Sequence, residues 1–108
     1  MATVRELHDK AMALAMDATI ARHEARHEDY KRLCAEAYQY ERQAADMLLR
    51  EQSRGILYRS AAWLAHNAGM YQEAFDTAQE GARNKVPAWL MAELAEVINA
   101  AWSELHKD

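Results

Sequence analysis

At 108 residues the chain has the length of one domain, and its 51% apolar and 28% charged residues place it among globular rather than disordered chains. A formal net charge of −4, with no block of Lys or Arg, gives no reason to expect a general nucleic-acid-binding surface. Three glycines and one proline leave little turn chemistry, and the abundance of Ala, Glu, Leu, Arg and Met reads as all-α. A single cysteine, Cys34, can form no internal disulfide and fits a reducing, cytoplasmic setting. The first residues read as a polar helix start rather than a signal peptide. No apolar run approaches the ~20 residues that span a bilayer, so no membrane partner is expected.

In chain order, Thr3-Val4-Arg5-Glu6 reads as a capping box opening a first helix, with Leu7, Ala11, Leu14, Ala18 and Ala21 on one face, that continues to about Arg26. Asp29 is placed to cap a second helix whose apolar row is Tyr30, Leu33, Ala37, Tyr40, Ala44 and Leu48. The stretch REQSRG at 50–55 breaks the pattern, with Ser53 as the cap of a third helix that runs through ILYRSAAWLAHNA and stops at Gly69. A fourth helix, YQEAFDTAQEGARN, is closed by Asn84, and Pro87 lies in the first turn of the last. That last helix carries Leu90, Leu94, Val97, Ile98, Ala101 and Leu105, flanked by Trp89 and Trp102, which read as core. About five antiparallel helices in a single domain, 1–108, follow.

The two stretches EDYKRLCAEAYQYE and GMYQEAFDTAQEGA repeat a pattern. Each has a tyrosine just beyond a turn, then Leu33 or Ala74, then Ala37 or Ala78. Gly69, Tyr71, Ala74, Ala78 and Gly81, with Pro87 beyond them and Tyr58, Ala61, Ala62 and Ala65 on the preceding helix, resemble the tetratricopeptide repeat over about residues 54–87. The same stretch is similar to short bacterial helical proteins of tetratricopeptide-like type. Tyr30 and Tyr71 are 41 positions apart, where the family repeats every 34 or so, and Glu28 stands where a glycine is usual. The resemblance implies one hairpin at about 4–49, a second at about 54–84, and a capping helix at about 87–106.

His23-Glu24-Ala25-Arg26-His27 matches H-E-x-x-H, in which two histidines on one helix face hold zinc and the glutamate activates water. Charged neighbours crowd the string, and no third-ligand continuation follows. It reads as a chance match, with no catalytic residue and no cofactor expected, and His23 and His27 are kept only as metal candidates. A small zinc-dependent hydrolase is the least favoured reading. Cys34 reads as buried filler.

The resemblance also implies a concave face lined by the first helix of each hairpin. Arg59, Trp63, His66 and Asn67, with Arg22 and Arg26, would form a locally basic groove for a protein or peptide, fitting an extended acidic segment or a C-terminal carboxylate. The expected function is therefore a non-enzymatic interaction module. The alternative is a homodimeric helical assembly joined through the last helix.

Overall fold

Glu6 donates its backbone N–H to the Thr3 hydroxyl at 3.1 Å while its carboxylate accepts the Thr3 N–H at 3.3 Å. This closes the capping box and opens α1 (Val4–His23) in the computed structural model, which describes residues 1–107. The helix stops short of the expected Arg26. Ala25 takes the left-handed conformation, φ 58°, and the chain turns there. Arg26 donates its N–H to Ala21 O at 2.9 Å and Ala25 to Arg22 O at 3.1 Å. These are the two bonds of a Schellman ending. α2 (His27–Met47) then starts two residues ahead of Asp29, which lies in its first turn instead of capping it. The boundary was hidden because a glycine signals such an ending and an alanine does not.

α3 (Glu51–Asn67) also starts earlier than expected, so Gln52 to Gly55 are helical and Ser53 caps nothing. Gly55 is there for space. A Cβ on it would stand 2.7 Å from a Val86 methyl and 3.1 Å from a Leu90 methyl. α3 ends at Gly69 (φ 81°), with Met70 and Gly69 donating to Ala65 O and His66 O at 2.8 and 3.0 Å. α4 (Tyr71–Ala82) follows at once, and the Asn84 carboxamide covers its last carbonyls, Glu80 O and Gly81 O. Pro87 sits at the N-cap of α5 (Ala88–Leu105), one position outside the expected turn.

The two turns share one hydrogen-bonding pattern, and Ala25 and Gly69 are 44 positions apart. That offset supersedes the spacing of 41 taken from the tyrosines. It places Ala11, Ala18, Ala21, Cys34 and Ala37 on Gly55, Ala62, Ala65, Ala78 and Gly81, all buried. Small side chains at these points let the helices of each hairpin approach closely. α2 packs on α1 and on α3, and α4 packs on α3 and on α5. One core cluster joins Ala37, Tyr38, Ala61, Leu64, Ala65, Ala74 and Ala101, and a second joins Ala62, Ala78, Leu90, Leu94 and Val97. α5 covers the second hairpin with Leu90, Leu94, Val97 and Ala101.

α2 buries a different face from its expected row, of which only Ala37 and Ala44 are buried while Tyr30, Leu33, Tyr40 and Leu48 are half-buried. Cys34, Tyr38, Glu41 and Ala45 are buried beside Ala37 and Ala44, because α2 has neighbours on two sides. Trp89 and Trp102 are not core. They are 50% and 51% exposed, lying outside the α5 face that meets α3 and α4. No helix among the described residues is long and apolar enough to cross a membrane.

Ala25→Gly keeps the left-handed conformation but relieves the roughly 1 kcal/mol it costs a residue with a Cβ, and should raise stability in chemical unfolding by up to about that amount. Gly81→Val should lower it by at least about 2 kcal/mol, because a Cβ at Gly81 already meets a Leu94 methyl at 2.8 Å and Tyr58 Cβ at 3.0 Å.

Candidate functional site

The buried row of α2 contains one acid. Glu41 lies among Cys34, Tyr38 and Ala45 at helical spacing and is fully buried. Its Oε1 is 2.8 Å from Nδ1 of His8 on α1, while Oε2 is buried with no donor from the chain. His8 is 38% exposed and forms part of the wall of an open cleft of about 650 Å³. Val4, Arg5 and Asp9 complete the α1 side, and Ser53, Ile56 and Leu57 form the α3 side, with Leu48 between. With Nδ1 committed to Glu41, Nε2 is the ring nitrogen left for a ligand. The cleft thus combines apolar walls with one imidazole, one guanidinium and one carboxylate.

Two apolar rows lead out of it. On α1, Met12 and Met16 follow Arg5 and Asp9 at i+7, hence on the same side of the helix, and Ile20 continues the row. They are 36%, 64% and 48% exposed. On α3, Trp63 follows Ile56 at i+7, and both are half-buried at the edge of the second core cluster. Beyond the cleft the exposed row of α1 is therefore apolar and rich in methionine, a side chain that adapts to varied surfaces.

The sequence-expected site residues are divided between two places. Arg26 binds the carboxylates of Glu24 and Asp29 at 2.8 and 2.7 Å within the α1–α2 turn. This contact holds the Asp29 carboxyl below its ordinary range. Arg22 lies over the Tyr30 ring at 5.9 Å in the same region. Arg59 forms a forked pair with Glu93 of α5 at 3.1 and 3.2 Å. Trp63, His66 and Tyr71 form an edge-to-face chain with centroids 5.4 and 5.2 Å apart, and Asn67 is exposed at the end of α3. Two of the three expected arginines thus already carry carboxylates, and the basic groove is reduced accordingly.

His23 ends α1 and His27 begins α2, with the left-handed Ala25 between them. The one-face chelate that the spacing offers does not form, because it requires an unbroken helix. Among the described residues no three His, Cys, Asp or Glu side chains gather as metal ligands. Cys34 is buried, and that burial pushes its thiol up from the ordinary value.

His8, Arg5 and Asp9 were not singled out from sequence. The available signals were the second row of α1, Val4, His8, Ala11 and Ala15, and an acid spaced like a core residue at 41. Comparison of the chain with family models, curated proteins and solved structures gives no match.

His8→Leu leaves the buried Glu41 carboxylate without its partner and should cost about 3 kcal/mol of stability in urea unfolding. Adding Glu41→Leu should restore most of that loss, because no buried carboxylate is then left without a partner. Thiol titration should find Cys34 unreactive until the chain unfolds, with a raised thiol pKa and burial acting together.

Proposed function

We infer that the chain is a helical interaction module of tetratricopeptide-like type that holds a segment of another protein in the groove between α1 and α3. The observation that carries this reading is the pair of apolar rows, Met12, Met16 and Ile20 against Ile56 and Trp63, leading out of the cleft at His8. Exposed methionines and a tryptophan along a groove are costly to leave in water and suit a binding surface. The repeat-like reading draws support from the small residues shared by the two hairpins. It draws more from the run of α5 along α3. Glu51 accepts the Lys85 N–H, Gly55 abuts Leu90, and Arg59 pairs with Glu93, separations of 34 or 35 residues that match the family's repeat length, although the two hairpins here are offset by 44.

The partner chemistry this groove favours is apolar. An acidic segment was expected for a groove carrying Arg22, Arg26 and Arg59, but Arg26 and Arg59 hold carboxylates and Arg22 lies over the Tyr30 ring, whereas Arg5 is the cation at the cleft. Apolar side chains of the partner would fill the space between Ile56 and Leu57, and a polar group beside them would meet His8, Asp9 or Arg5.

Selection of peptides from a displayed random library against the purified chain tests this reading. Enriched peptides should carry apolar residues at regular spacing, and their affinity should fall about tenfold or more, roughly 1.4 kcal/mol, on Met16→Asp or Ile56→Asp. Peptides that bind both variants as well as the parent would place binding elsewhere. Enrichment of acidic peptides lost on Arg5→Ala would restore the acidic-partner expectation at a different arginine.

A further inference from the structure

α5 has two apolar rows, and the fold uses only one. Leu90, Leu94, Val97 and Ala101 face α3 and α4 and are fully buried. Beside them Met91, Ala95, Ile98, Trp102 and Leu105 follow one another at spacings of four, three, four and three residues, the spacing of a coiled-coil seam. Ile98 is half-buried, whereas Met91, Trp102 and Leu105 are 39%, 51% and 40% exposed. Trp102 is braced by His106, which stacks on it at 3.9 Å. A row of this spacing fits another helix, because side chains at alternating three and four positions interlock with a helix crossing at a small angle.

Charge decides which helix. The acids of α5 are Glu93, Glu96 and Glu104, and each lies about 140° round the helix from the centre of the row. Glu93 and Glu104 are moreover paired with Arg59 and Lys107. The strip therefore carries no charge by which a differently charged partner would be selected. A two-fold axis places like against like, and a neutral strip adds no local like-charge contact to the overall repulsion of two chains of net charge −4.

Shape agrees with the electrostatics. Two antiparallel copies of the row, centred on Ile98, set Met91 against Leu105 and the largest side chain, Trp102, against the smallest, Ala95. The opposed helix dipoles are also favourable in that arrangement.

We propose that two copies of the chain associate through this second face of α5, antiparallel about Ile98. Two 18-residue helices meeting along such a row cover on the order of 1,000 Å² in total, near the low end for specific interfaces, so the dimer forms at micromolar concentration and dissociates on dilution. The pairing uses none of the groove between α1 and α3 and stands independently of the partner reading above.

Sedimentation velocity of the full chain across the micromolar range, at low and high salt, is the test. The expected result is a reversible monomer–dimer equilibrium that salt strengthens, because screening reduces the mutual repulsion of the acidic chains. Ala95→Glu, at an exposed helical position, should abolish the dimer while leaving the melting temperature of the dilute monomer unchanged. Trp89→Glu, on the opposite side of α5, and Met16→Asp, in the groove, should leave it intact. Mixing Ala95→Cys with Trp102→Cys chains should give a mixed disulfide in excess over the 95–95 product, which reports the antiparallel register. A monomer at every concentration overturns the proposal, as does a dimer that survives Ala95→Glu or one that salt weakens.

Discussion

Close approach of helix backbones is the constraint on which the molecule rests. Most of the buried apolar positions are alanine, and two of the chain's glycines are buried at points where a methyl group would collide with Leu94, Tyr58, Val86 or Leu90. Small residues bury little area each, so a core built this way gains its stability from many short van der Waals contacts rather than from a few large side chains. It also has little tolerance for added volume. The largest fully buried apolar side chains, Leu90, Leu94 and Val97, come from α5, so the fifth helix supplies much of the core volume that the alanine-rich hairpins lack.

Alanine seams do not by themselves select a register, since one methyl is much like another. Polar contacts between helices do that here. His8 meets Glu41 between α1 and α2, and the Tyr58 hydroxyl donates to Asp46 at 2.5 Å between α3 and α2. Arg42 and Tyr38 meet the buried Thr77 hydroxyl at 2.9 and 3.2 Å between α2 and α4, and Arg59 holds Glu93 between α3 and α5. Each contact would leave a desolvated group unpaired if its helix slipped by a turn. The same contacts consume charge. Arg59 is committed to fastening α5, which removes it from any binding face.

What remains exposed is then informative. With most alanines inside and several of the ionic groups paired, the conspicuous surface features are apolar: Met12, Met16 and Ile20 on α1, and Met91, Trp102 and Leu105 on α5. These two surfaces lie on different helices and differ in setting. The first runs into a cleft with titratable groups, and the second is a charge-free seam. A module that holds one partner in its groove while associating with a second copy would present two grooves per particle, and tethering raises the effective affinity for any partner carrying two segments.

Helix number, fold class and four residues of the C-terminal packing face, Leu90, Leu94, Val97 and Ala101, were determined by the sequence alone, because a 3.6-residue apolar period, a capping box and a turn glycine are local signals. Ile98 and Leu105, expected on the same face, lie at its half-buried and exposed edge. The first turn was not legible at its true place, since Ala25 adopts a glycine-like conformation without being glycine. Nor was the fate of the tryptophans. An aromatic residue at helical spacing reads as core, and only the orientation of α5 on the second hairpin leaves Trp89 and Trp102 outside. For the candidate site, Trp63 could be named in advance from its position on α3. His8 and Glu41 could not, because a histidine and a glutamate 33 positions apart become partners only when α1 and α2 fold together. Which arginines stay available was likewise decided by tertiary structure, since an ion pair between helices depends on distances that no local pattern encodes.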